Sequence, residues 1–397
     1  MLAHVLLISG TLMENIGTIK THVEALRSQF GENCIRIDYR KLPDYPIPYF
    51  DCLIFHYSVV LCSPNYFSDE QRKRISDFRG PKIAFIQDEY RFIDETVKAI
   101  KDFGINHVFT LVAQDTVCQV YYHSFLQEVT FETTFTGYVP SGWIYREAIP
   151  YKDREIDVSY RGRKLVSWLG RHTLQKWQIA EKFKNDVSKY NVNLKLDIST
   201  REEDRVYGDE WEKMLFSSKA VLGVESGASV CDFDGSIEKN VNDYLLLKPE
   251  ATFEELSDRF FKDIDGKVTQ KVISPRCFEA AAARTLMIMY RGYYNGVLPP
   301  NRHYVLLNED HSNFEDVISI LNDEQKATRI IEAAYNEIAL NPKYQQEYFA
   351  KRTAQVVREL LRKKKYISIY SFIPIKIFKE YLLLVASKNY GLLVQEL

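Results

Sequence analysis

The sequence predicts an α/β protein with two doubly wound domains facing across a cleft and a helical, basic C-terminal extension. Three observations carry this. At 397 residues the chain exceeds one ordinary core and suits two domains of about 150–200 residues each. Strand-length apolar runs recur, each followed by a turn or loop and then a helical pattern, as parallel sheets require. The pattern restarts at Ile156 after the polar stretch Tyr151-Lys152-Asp153-Arg154-Glu155, which has the composition of an exposed linker. The expected divisions are 1–150, 151–340 and 341–397.

In order, residues 3–9 (AHVLLIS) read as a buried strand, followed by a loop carrying Gly10 and Gly17 and a helix to about Phe30. This is a Rossmann-like opening without a full G-x-G-x-x-G, so it points only weakly to a dinucleotide. The two glycines let the backbone approach a ligand closely. Further strands are expected at Cys34–Ile37, Asp51–Phe55, Lys82–Ile86 and His107–Leu111. His56 stands directly after the third, where side chains of a doubly wound sheet reach the crevice. Asp88 and Glu89 close the fourth, where a carboxylate can accept the proton of an attacking hydroxyl. Only one of two adjacent carboxylates can face a given atom, and Asp88 is equally placed to cap the next helix.

The second half opens with the strand Ile156–Tyr160 and the basic turn Arg161-Gly162-Arg163-Lys164. Gly170-Arg171 and Lys176 follow at the start of a helix. The apolar run Ala220–Val224 leads into Glu225-Ser226-Gly227, a small-residue loop suited to a phosphate or sugar. Residues 272–313 then give a Ser274-Pro275 turn with Arg276, a short helix with Glu279 and the run Ala280–Ala283, a buried strand to Tyr290, and a loop holding Asn295-Gly296.

That last stretch resembles the donor-binding segment of GT-B glycosyltransferases, which have two Rossmann-like domains, and in particular the bacterial surface-polysaccharide branch with a small-residue "EA" helix. The resemblance covers roughly residues 156–340, and the first domain in outline. It implies that Glu279 holds the ribose of a nucleotide sugar, with Arg276, Asn295 and Gly296 beside it. It implies also that a Gly-Arg and a lysine steady the departing diphosphate. Two registers fit, Gly162-Arg163 or Gly170-Arg171 with Lys176. The family's first loop faces the acceptor, which places Gly10 and Gly17 there, and a His-Tyr after a strand, here His56-Tyr57, contacts acceptor or transferred sugar. The chain departs from the family's paired acids: eight residues before Glu279 stands Lys271, so either Glu225 supplies the first acid, with 230–271 as an insertion, or this branch lacks it. Asp232 and Asp234 in that insertion hint at a metal, but two aspartates alone are weak ligands, and the resemblance implies no metal and no cofactor beyond the substrate.

Composition narrows the partners. A net charge of −2 demands neither nucleic acid nor an anionic surface, and no nucleic acid partner is expected. Six scattered cysteines without a CxxC pair fit reduced thiols in the cytoplasm rather than zinc. Neither a signal peptide nor a membrane-length apolar run is expected. Residues 362–385 mix lysines with aromatic and aliphatic residues, which suits peripheral contact with the inner face of a membrane, or equally a docked tail or an oligomer contact. The resulting expectation is transfer of a hexose-like sugar from a nucleotide sugar to a glycan or lipid-linked acceptor in envelope polysaccharide synthesis. The alternatives are a nucleotide-sugar epimerase or hydrolase, and a non-catalytic nucleotide-binding scaffold.

Overall fold

Runs of three to six residues, mostly rich in aliphatic and aromatic side chains and too short for helices, form the strands of both sheets. The computed structural model describes residues 3–10, 17–121, 126–366, 368, 377 and 380. The first sheet comprises β1 (Val5–Ser9), β2 (Cys34–Asp38), β3 (Cys52–Phe55), β4 (Lys82–Phe85), β5 (His107–Thr110) and β6 (Thr130–Thr133). Its order is β2-β1-β3-β4-β5-β6, and every pair is parallel. Strands β1, β3, β4 and β5 are buried at every position, because helices cover both faces. The edge strand β6, half-exposed and polar, did not stand out in the sequence.

The second sheet is built from β7 (Ile156–Arg161), β8 (Leu196–Ser199) and β9 (Ser218–Gly223). After an antiparallel ribbon of β10 (Ser226–Ala228) and β11 (Gln270–Val272), it resumes with β12 (Leu286–Tyr290) and β13 (Val305–Leu307). The parallel order is β13-β12-β9-β7-β8. Each sheet therefore reverses direction beside its first strand, between β1 and β3 and between β7 and β9. Such a reversal leaves a crevice beyond the strands' carboxyl ends.

Among the described residues the halves are joined in three places. Residues 134–155 run from the first sheet to the second. The chain returns near Gln345, which bridges Val139, and the helix Gln346–Lys364 packs on the helix Gly17–Phe30 through Phe349, Ala350, Val356 and Val357. The third join is the segment between β10 and β11. Asp232 N–H donates to the Tyr90 carbonyl (2.8 Å), Asp94 N–H to the Phe233 carbonyl (2.9 Å), and Arg91 pairs with Glu238 (2.6 Å). Cys231 belongs to the core of the first sheet, and Phe233 and Val268 pack against it.

Most of the 362–385 segment lies outside the described residues. Its described start continues the last helix to Lys364, and Tyr366 packs edge-on to Phe78. Among the described residues no helix is long and apolar enough to cross a membrane.

Candidate functional site

The two switch points open into one cleft of about 880 Å³, walled by both sheets. On the second sheet's side, β7 ends at Arg161 and the chain turns at Gly162. A Cβ at Gly162 would lie 2.4 Å from the Tyr160 ring, so only glycine allows this turn. Above that ring, at 4.6 Å, sits the guanidinium of Arg276, with the Trp211 ring 5.3 Å away. Arg276 donates to the carbonyl of Arg161 (2.5 Å), and more weakly to that of Leu222 (3.5 Å), near the ends of β7 and β9. Its charge is thereby fixed at the strand reversal.

Lys176, second residue of the helix Gln175–Lys189, lines the same wall. Burial, and then the nearby Arg276, push its pKa down to about 8, with Asp88 opposing and Arg163 adding to the repulsion. Arg163 also lines the cleft, half-exposed and 3.4 Å from Glu202. Three cations converge here, and an anion relieves their mutual repulsion.

Beside them the helix Pro275–Ala282 presents Glu279. Trp211 donates its indole N–H to Oε2 of Glu279 (2.9 Å), and burial raises the carboxyl pKa. The loop Arg205–Gly208, running into the helix Gly208–Phe216, completes this end and leaves Tyr207 half-exposed.

Several expected donor residues shape the cleft from behind. Arg171 points out of it, 5.0 Å over the Phe253 ring and 3.7 Å from Glu254, because Gly170 turns with φ 88° and no room for a Cβ beside Ser229. Of the two Gly-Arg registers, Gly162-Arg163 borders the cleft. Glu225 is buried with Oε1 accepting the N–H groups of Tyr293 (3.0 Å) and Tyr294 (2.7 Å), so it plugs the glycine loop. Asn295 accepts the Ile273 N–H (2.7 Å), and Gly296 turns with φ 72°; both lie beneath the cleft floor. Ser226 lines the cleft, whereas Gly227 serves the β10-β11 ribbon, where a Cβ would collide with the Gln270 carbonyl.

The first sheet's wall also differs from expectation. His56 is fully buried one layer behind the cleft. Ser58 N–H donates to its Nδ1 (3.0 Å), and burial drives its pKa to about 3. Gly10 donates its N–H to Ser58 Oγ (2.9 Å) in the same layer, while Gly17 reaches the cleft. Tyr57 lines it, and so does His22, stacked on Phe349 at 4.1 Å and 5.0 Å from His56. Sequence reading passed over His22; its one signal was a polar residue on the apolar face of the first helix, beside Ile19, Val23 and Leu26.

Glu89 turns inward, accepting from Thr110 Oγ1 (2.5 Å), the Leu111 N–H (2.7 Å) and the Tyr121 hydroxyl, with its pKa raised to about 7 chiefly by burial. It braces the sheet and does not line the cleft. Asp88, at φ 56°, is exposed on the cleft and accepts the Tyr90 hydroxyl (2.7 Å). It does not cap the next helix, whose N-cap, Phe92, makes no side-chain bond. Asp232 and Asp234 are spent on N–H groups of the helix Ser236–Leu247 and its start.

No protein-family model matches the chain, and no curated protein matches it. Among solved structures it is similar to an alpha-glucosyltransferase in complex with UDP and a 13-mer DNA containing an HMU base. The identity is 10%, the TM-score 0.54, and the match covers 89% of this chain and 98% of that one. The same figures hold for an alpha-glucosyltransferase in complex with UDP-glucose and DNA containing an abasic site. An alpha-glucosyltransferase in complex with UDP matches at 11% identity and TM-score 0.51, over 89% of this chain and 99% of that one. With two parallel sheets facing across a cleft, the chain has the GT-B fold.

One expectation is overturned. Net charge was read as excluding nucleic acid, yet two of these structures of the same fold hold DNA. A whole-chain charge near zero averages over local surfaces, and here Arg163, Lys164 and Arg205 line one cleft.

Proposed function

We propose that the protein is a glycosyltransferase that moves a hexose from a nucleoside-diphosphate sugar to a hydroxyl of a glycan or lipid-linked glycan in envelope polysaccharide synthesis. The observation that carries this is the cluster of Lys176, Arg276 and Arg163 at the switch of the second sheet, with Arg276 one helical turn before the half-bonded carboxylate of Glu279. Cations and a carboxylate acceptor, side by side, match the diphosphate and ribose of one ligand. UDP in the similar structures supports that nucleotide as the first to test.

In the reaction the bond between the sugar's anomeric carbon and the diphosphate oxygen breaks, and a bond to the acceptor oxygen forms. The three cations stabilise the charge gathering on the diphosphate, a task that needs fixed charges in a partly dry cleft and no bound metal. The acceptor's proton leaves on the opposite wall, where Asp88 is the exposed carboxylate. That wall, with Gly17, Thr18, His22, Tyr57 and Tyr138, supplies no lysine or arginine except Arg91, already paired with Glu238. The tail 362–385 is proposed to rest on anionic lipid, tested by co-sedimentation with phosphatidylserine vesicles; recovery wholly in the supernatant defeats it.

The deciding experiment is incubation with UDP-glucose and other nucleotide sugars, alone and with glycan, lipid-linked or duplex DNA acceptors, followed by mass spectrometry. A glycosylated glycan supports the reading, glycosylated DNA replaces the acceptor class, and release of free sugar in every mixture points to a hydrolase. No turnover and no nucleotide binding defeats it.

A further inference from the structure

We infer that Trp211 is a positioning residue that makes the site select ribonucleotides over deoxyribonucleotides, by holding one oxygen of Glu279 and leaving the other for the sugar hydroxyls. This rests on the donor reading above. An indole N–H can only donate, so the Oε2 it engages at 2.9 Å is locked as an acceptor and the carboxylate plane is fixed. Glu279 lines the cleft, and its Oε1 makes no hydrogen bond among the described residues. Glu279 is half-buried, so the oxygen left over is open to the cleft, where a ligand hydroxyl can donate to it. Phosphate oxygens cannot serve, being acceptors of like charge. Hydroxyl groups can, and the cations that take the phosphates, Arg276 foremost, lie within the same wall.

Trp211 also ties this carboxylate to the rest of the ligand's path. It is the fourth residue of the helix Gly208–Phe216, whose first residue, Gly208, and the preceding Tyr207 line the cleft. Its ring lies 5.3 Å from the Arg276 guanidinium. One side chain therefore sets the spacing between the half-bonded carboxylate, the phosphate-side cation and the half-exposed Tyr207 end of the cleft. Burial raises the pKa of Glu279, and the indole N–H and then the Arg276 charge oppose that rise.

The test is isothermal titration of the full chain with UDP, 2′-deoxy-UDP and inorganic pyrophosphate. The native protein should prefer UDP over 2′-deoxy-UDP by about tenfold or more, the size of one hydrogen bond to a charged group. Trp211→Phe keeps a ring beside Arg276 and should erase that preference, with 2′-deoxy-UDP and pyrophosphate within about twofold of native, the ordinary scatter of a remote change. Equal weakening of all three ligands by Trp211→Phe would show a structural prop and overturn the inference, as would a native protein with no 2′-hydroxyl preference. Should Trp211→Phe fail to fold, Trp211→Leu, apolar and without a donor, decides: a retained preference overturns the inference, and a lost one with pyrophosphate binding kept supports it. Failure of the donor reading looks different, since UDP and other nucleoside diphosphates then do not bind the native protein at all.

Discussion

The loop after β4 holds a buried glutamate and the helix Pro275–Ala282 a half-buried one, one in each half of the molecule, and the surroundings treat them in opposite ways. Around Glu89 three donors converge, from Thr110, Leu111 and Tyr121, and no oxygen is left over. Around Glu279 the protein supplies one donor, the Trp211 indole, and the other oxygen faces the cleft. Both carboxyls are pushed up in pKa by burial, so that shift alone does not tell a brace from a binding group. The count of donors does. A buried acid that the protein satisfies fully stabilises the fold, whereas a half-buried one left half-satisfied beside a cluster of cations has an oxygen to spare for a ligand.

Substitutions can break this contrast. The largest expected effect is Glu89→Ala, which strands three donors inside the first domain and should lower unfolding free energy by about 3–5 kcal/mol, read by urea denaturation. Nucleotide affinity of the folded fraction should be unchanged; a loss there would move Glu89 into the site. Next is Glu279→Ala, expected to weaken UDP by about tenfold to a hundredfold with a melting temperature close to native. A folded variant with native UDP affinity would remove Glu279 from the ligand.

Two pH profiles sharpen the contrast further. Lys176 in the free protein titrates near 8, below the ordinary lysine value, and an anion favours its charged form. Affinity for UDP should thus be full below pH 8 and decline above it, by at most about tenfold per pH unit, and Lys176→Met should flatten the decline. For Glu89 the folded value of about 7 exceeds the ordinary 4.5, so the native state holds a proton the unfolded chain has released. Its contribution to stability is then fully present below pH 4.5 and lost as pH rises through 7; the difference in melting temperature between native protein and Glu89→Gln should track that window.

The smallest effect separates the two Gly-Arg registers. Arg171→Ala removes an exposed contact with Phe253 and Glu254, and should change stability by no more than about 0.5 kcal/mol and UDP affinity not at all. Arg163→Ala should weaken UDP measurably, and the reverse pattern would exchange their roles.

Much of the fold was legible in the chain because parallel strands buried on both faces are apolar throughout and end in turns. Eight of them, β1 to β5, β7, β9 and β12, stand out as such runs, as does the restart at Ile156. Strands β6 and β13 were missed, the first because it is polar and half-exposed, the second because three residues carry no period. The sequence also marked Glu279, Arg276, Lys176 and the paired Gly-Arg registers as candidates. Only the tertiary structure shows which of them border the cleft. Which way a side chain turns at a strand's end depends on partners far along the chain: Trp211 lies 68 residues from Glu279, Tyr293 lies 68 from Glu225, and Ile273 lies 22 from Asn295. Local sequence specifies strands and turns because their hydrogen bonds and burial patterns repeat over a few residues. It cannot count the donors around a buried carboxylate, since those arrive from elements that meet only when the sheets close.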